Sequence, residues 1–118
     1  MSSKVHCYVR TLRNEWGLTQ RELASLLPKG DHNRVSRVER NIILPNGAEI
    51  LAYALIFGLS GQAVFRKLSD KTDEAVMQGA FRLHQRLEGN SSPKAVRKRE
   101  LLDQIKARAI ENANQAQV

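Results

Sequence analysis

The sequence predicts an all-α chain: five short helices, then a two-helix C-terminal extension. Three observations carry that expectation. Aromatic residues make up only 5% of the chain, so its core must come mainly from Leu, Ile, Val and Ala, a bias that favours helices over a sheet. Apolar residues recur at spacings of three and four, which gathers them on one face of each helix. Residues suited to starting and stopping helices bracket those periodic runs. At 118 residues the chain is the size of one domain, or of one small domain with a helical extension. A change of character after Leu68 sets the division, at 5–68 and 72–111.

The first helix is expected over about Val5 to Trp16. Val5, Val9, Leu12 and Trp16 share a face, and Gly17 closes the helix because it takes the left-handed conformation at low cost. Thr19-Gln20-Arg21-Glu22 is a capping box, in which threonine oxygen and glutamate carboxylate each satisfy the other residue's amide. The helix it opens runs from Gln20 to Leu27 with Leu23, Ala24 and Leu27 inward, and Pro28 and Gly30 end it. Asp31 caps a third helix reaching about Arg40, its carboxylate meeting the positive helix end. Val35 and Val38 form the buried seam of this helix, with Leu23, Leu27 and Trp16 as partners, while His32, Asn33, Arg34 and Arg37 form its polar face.

A fourth helix follows Pro45-Asn46-Gly47 and runs from Ala48 through Phe57 to Gly58. Being apolar on more than one face, it is expected at the centre of the bundle, with Tyr53 in the core. Ser60 caps a short fifth helix bearing Val64, Phe65 and Leu68. Thr72-Asp73-Glu74 then reads as a fresh helix start, and Val76, Ala80, Leu83 and Leu87 form a stripe that Gly89 terminates. Ser92-Pro93 opens the last helix, with proline at the first helical position. Leu101, Leu102, Ile105 and Ala109 stripe it, and fraying is expected after Glu111.

Nineteen basic and twelve acidic residues leave a net charge of +7, a field that attracts polyanions without selecting one. Residues 1–67 carry ten Lys or Arg against five acids, and residues 68–118 carry nine against seven. The single Cys7 excludes an internal disulfide framework. His6, His32 and His84 show no ligand spacing, so no metal and no cofactor are expected. Without paired carboxylates or a glycine-rich phosphate loop, the chain does not read as an enzyme. Its first residues lack the apolar stretch of a signal peptide. Ile50–Leu59, the longest apolar-rich run, falls far short of a membrane span. A reducing, cytoplasmic setting and no membrane partner follow as expectations.

Two short helices joined by a tight turn, the second basic and amide-rich outside, match what the DNA major groove accepts. Arg and Asn present paired hydrogen bonds to guanine and adenine edges, and side chains on the first turn of an entering helix reach deepest. At residues 8–65 the chain resembles the helix-turn-helix domain of phage Cro and repressor proteins, the XRE family. The resemblance rests on four blocks in order: Arg13 with Gly17-Leu18-Thr19-Gln20-Arg21-Glu22-Leu23-Ala24; Asn33-Arg34-Val35-Ser36-Arg37-Val38-Glu39; Arg40-Asn41-Ile42-Ile43-Leu44-Pro45; and Ile50-Leu51-Ala52-Tyr53-Ala54-Leu55-Ile56-Phe57-Gly58. It implies a five-helix repressor-like bundle followed by the two-helix extension.

The same resemblance implies Gln20 against a phosphate or bracing a base-reading side chain, and Asn33 and Arg34 as base readers. Arg37 or Ser36 would meet a base edge or the backbone, with His32 beside them. Arg13 would pair with Glu39 as a structural clamp. Arg21 and Lys29, and the cluster Lys94, Arg97 and Lys98 on the last helix, are candidates for backbone contacts. Two departures stand out: the turn Leu27-Pro28-Lys29-Gly30-Asp31 is one residue longer than the family's usual turn, and Ile42 replaces the glycine that normally follows Asn41.

A single module holds few base contacts, so a homodimer on an inverted repeat of double-stranded DNA is expected, acting as a transcriptional regulator. Ile42 and Ile43 in the loop, with the extension stripes Val76, Leu83, Leu87, Leu102 and Ile105, are the candidate protein interface. The rival reading is a protein-interaction module that keeps the fold, such as an antitoxin or antiactivator. The doubled isoleucine, the longer turn and the nearly neutral C-terminal half favour it.

Overall fold

In a computed structural model, residues 8–116 are described, and they form seven α-helices and no strand. Val5, His6 and Cys7 lie outside the described residues. The chain divides into two compact units between Ser69 and Asp70. The first holds α1 (Val9–Glu15), α2 (Gln20–Ser25), α3 (His32–Glu39), α4 (Gly47–Phe57) and α5 (Gly61–Val64). The helix α6 (Arg66–Arg86) begins in it and continues into the second, which also holds α7 (Pro93–Ala116). No helix among the described residues is long and apolar enough to cross a membrane.

Local chemistry sets the helix ends of the first unit. α1 stops in a two-bond cap: Gly17, at φ +71°, donates to Asn14 O, and the Leu18 amide donates to Arg13 O at 3.0 Å. The Thr19–Glu22 capping box forms, with both bonds near 3 Å. α2 is shorter than expected, ending at Ser25, though Leu27 still packs on the core. Asp31 Oδ1 accepts from the Asn33 amide at 2.9 Å and starts α3. At the end of α3 the expected glycine is missing, and Asn41 takes the left-handed position itself at φ 62°. The amides of Asn41 and Ile42 then close on Val38 O and Arg37 O, the same two-bond cap as at Gly17. Asparagine tolerates that conformation better than other residues with a side chain.

The core of this unit is Val9, Leu12, Leu23, Ala24, Val35, Val38, Tyr53, Val64 and Phe65. Tyr53 meets the Phe65 ring edge-on at 5.5 Å, a favoured aromatic arrangement. The Tyr8 amide donates to Val64 O, tying the start of α1 to the end of α5. Where α4 and α5 pack, Gly61 is required by close approach: a Cβ there would lie 2.7 Å from the Ile50 Cγ2 methyl.

Three expectations for this unit are corrected. Trp16 does not join the core; as the C-cap of α1, one residue from the chain reversal at Gly17, it is 71% exposed. α4 is not surrounded at the centre of the bundle: Ile50, Tyr53, Ile56 and Phe57 face the core, while Leu51 and Leu55 lie in solvent. Ile43 is half-buried against the core, so only Ile42 of the loop pair is exposed.

In the second unit no break occurs at Thr72. α6 runs unbroken through it, because a threonine inside a helix whose preceding turn is already formed has no amide to cap. α7 also persists past Glu111, where Asn112 Nδ2 donates to Asp73 Oδ2 at 3.3 Å. That bond, and the cluster of Leu87, Ala95 and Leu102 near the connection, show α7 folding back along α6 as a helical hairpin. Gly89, at φ +80°, makes the reversal. Ser92 Oγ caps α7 through the Ala95 amide, and Arg99 Nη1 donates to Leu87 O. The stripes expected to meet a partner are instead spent inside this hairpin: Leu87 and Leu102 are buried, and Leu83 and Ile105 pack against them. Val76 alone of the five stays exposed.

Candidate nucleic-acid interface

α3 has two rows of side chains with different fates. Val35 and Val38 are fully buried between α2 and the rest of the core. Burying each of them stabilises the seat of α3 by about 1.5–3 kcal/mol. Asn33, Arg37 and Arg40 are exposed, with Ser36 half-buried between them. Spacings of three, four and seven put these four on one side of the helix. The side chains of Asn33 and Arg37 make no hydrogen bond or ion pair among the described residues. Arg40 Nε donates to Ser36 Oγ at 3.2 Å, bracing the end of the row.

Two carboxylates hold α3 in place. Glu39 is 4% exposed and receives Arg13 Nε at 2.6 Å and Arg13 Nη2 at 3.1 Å. Arg13 Nη1 reaches the Leu18 carbonyl at 2.9 Å, so one guanidinium joins α1, the connection to α2, and α3. Gln20 Nε2 also donates to Glu39 Oε1 at 3.1 Å. Gln20 therefore points at the clamp, half-buried, and supplies one of its three donors.

Glu49 holds the other end. Its carboxylate accepts Arg34 Nε and, at 2.8 Å, Arg34 Nη2, while its backbone and side chain complete a capping box with Asn46. Arg34 Nη2 also approaches Leu44 O at 3.4 Å. Burial alone would raise the Glu49 pKa. The Arg34 hydrogen bonds, the Asn46 amide and the positive charges of Arg34 and Lys29 outweigh it and hold the carboxyl below its ordinary value. Chiefly through the same hydrogen bonds, Glu49 raises the pKa of the Arg34 guanidinium. Arg34, named above as a base reader, thus sits in a bidentate pair that fixes the start of α3 to the start of α4.

The remaining predicted residues are dispersed. His32 is half-buried at the first position of α3, and Arg21 and Lys29 are exposed on α2 and the turn. The turn reverses at Gly30, φ +63°. Lys94, Arg97 and Lys98 are exposed on α7 in the second unit. Among the described residues no group of His, Cys, Asp or Glu is placed to hold a metal.

Sequence reasoning missed two participants. Arg40 falls at the expected helix end and in a loop block of the resemblance, yet it lies seven residues after Asn33 and four after Ser36, the spacing of the exposed row. Glu49 was missed as a partner of Arg34, yet Asn46-Gly47-Ala48-Glu49 carries the cap spacing that fixes its carboxylate there. Comparison of the chain with known protein families, curated proteins and solved structures finds no match.

Proposed function

We propose that residues 8–68 are a repressor-like helix-turn-helix unit that binds double-stranded DNA with α3 in the major groove. The observation that carries this reading is the row Asn33–Ser36–Arg37–Arg40: polar, basic and solvent-facing, on a helix whose other side buries Val35 and Val38 and whose two ends are fixed by buried carboxylates. A rigid helix offering Asn and Arg is what groove-edge recognition requires, since each bidentate contact discriminates only when its geometry is held.

The roles divide differently from the sequence expectation. Asn33 and Arg37 read base edges, because their side chains are exposed and uncommitted. Ser36 and Arg40 contact base or phosphate at the end of the row. Arg34 and Gln20 act as positioning residues, one through Glu49 and one through Glu39. Arg21 and Lys29 neutralise phosphates flanking the groove, and Lys94, Arg97 and Lys98 add sequence-independent attraction. Roughly four to six phosphate contacts per copy are expected from this set, with few base contacts. The functional form is therefore a homodimer on an inverted repeat, regulating transcription by occupying an operator.

The test is a salt series on random-sequence duplex DNA, followed by fluorescence anisotropy. Binding is expected to weaken with salt at a logarithmic slope of about −4 to −5 per bound copy. A flat salt response, or no binding at low salt, overturns the reading.

A further inference from the structure

We infer that the outward side of α4 is a self-association surface, on which a second copy of this chain packs helix against helix. Leu51 and Leu55 on that side are 74% and 85% exposed. Four residues apart, they stand one above the other, and exposed Ala48 lies beside them. Leu44 and Ile42, before α4, and Leu59, just after it, are exposed as well. Single exposed leucines are ordinary, but a row at helical spacing on one element is not. These residues are not needed by the core, which the opposite side of α4 supplies through Ile50, Tyr53 and Phe57.

Charge selects a second copy as the occupant. The chain carries a net +7, so two copies repel each other across most faces. From Asn41 to Phe65, however, the one charged residue is Glu49, and its carboxylate is buried in the pair with Arg34. This stretch meets its own copy with no like charges opposed. An acidic partner would gain nothing here and would be drawn to the basic faces instead.

Size agrees. The exposed side chains present on the order of 500 Å² of apolar surface, the scale of patches that mark interaction sites on monomers. That is below the roughly 800 Å² each partner gives to a standard interface, so the dimer is a small, reversible one whose strength depends on how well the leucines fit rather than on area. Gly47 and Gly58 border the same side of α4, and their missing side chains let a second helix approach closely. For its use the surface rests on the DNA-binding reading: two copies joined through α4 carry two copies of α3.

Sedimentation velocity of the full chain from about 1 µM to about 1 mM tests it. A concentration-dependent monomer–dimer equilibrium is expected. Leu51→Glu with Leu55→Glu should raise the dimer dissociation constant at least ~100-fold. Its circular dichroism melt should match that of wild type at concentrations too low for the wild-type dimer, because neither side chain is in the core, and should lose the concentration dependence that dimerisation gives the wild type. In a Cys7→Ser background, Leu55→Cys should give a covalent homodimer on mild oxidation, and Val96→Cys should not. A wild-type chain that stays monomeric throughout overturns the inference, including when a foreign protein occupies the face. So does a dimer indifferent to the paired glutamates. Random-duplex binding by the paired variant, compared with wild type, separates the two readings. Self-association without DNA binding supports the surface and refutes the function; DNA binding by a monomer does the reverse.

Discussion

Truncating Arg13 to alanine removes three hydrogen bonds at once, two to Glu39 and one to Leu18 O. Glu39, only 4% exposed in the intact protein, is then left with the single donor of Gln20. Breaking a buried ion pair by deleting one partner costs about 3–5 kcal/mol, and the surviving Gln20 contact puts the loss at about 3 kcal/mol. In a unit of this size each kcal/mol moves the melting midpoint by about 4–8 °C, so a fall of roughly 12–24 °C is expected. Urea and thermal unfolding followed by far-ultraviolet circular dichroism measure it. Arg13→Met with Glu39→Leu removes both charges, and an apolar pair of similar volume is often close to neutral. The double variant should therefore lose at least about 2 kcal/mol less than the sum of the singles, a coupling well beyond the ~0.5 kcal/mol scatter of independent sites. Additive singles, or an Arg13→Ala loss under about 1 kcal/mol, would refute the clamp as the element that seats α3.

Arg34→Ala should lower stability and weaken binding to all duplexes alike, whereas Arg37→Ala should leave the melt unchanged and relax preference at one position per half-site; binding and unfolding measured on both variants separate the roles. The Glu49 contribution is full above the ordinary carboxylate range, near pH ~4.3, because its folded pKa is depressed. It is lost as the pH falls through that depressed value, so Glu49→Gln should flatten the acid limb of the stability curve, and an unchanged limb would exclude the Arg34–Glu49 pair as its source. Gly61→Ala should cost about 1–3 kcal/mol, since the stiff Ile50 side chain cannot turn away from a methyl 2.7 Å from its Cγ2; a neutral outcome in urea unfolding would show that α5 shifts freely. Trp16, 71% exposed, should be quenched by acrylamide almost as readily in the folded chain as in urea, and a strongly protected indole would contradict its placement.

The helices of the first unit were legible because their ends are written in local chemistry. Thr19, Asp31 and Ser60 each accept the amide that their position and type predict. The period of Val35 and Val38 likewise marks the buried row. Errors arose where a residue's fate depends on a distant partner. Trp16 has the right spacing for a core face, but the chain reverses one residue later and carries it outward. Arg34 has the type of a base reader, and only the fold brings Glu49, fifteen residues on, to its guanidinium. The extension stripes are apolar as their spacing indicates, but periodicity cannot distinguish a partner in the same chain from one in a second copy. In the same way the composition of α4 marks it as apolar on more than one face without telling that Leu51 and Leu55 face solvent.

Selection of bound sequences from a random duplex library, with wild type and Arg37→Ala in parallel, tests the DNA-binding account most directly. Wild type is expected to converge on a motif with two-fold symmetry. Arg37→Ala should keep the flanking preferences and lose about 10- to 100-fold discrimination at one symmetry-related pair of positions. A library that fails to converge, or a motif identical for both proteins, would contradict the assignment of α3 as the reading helix.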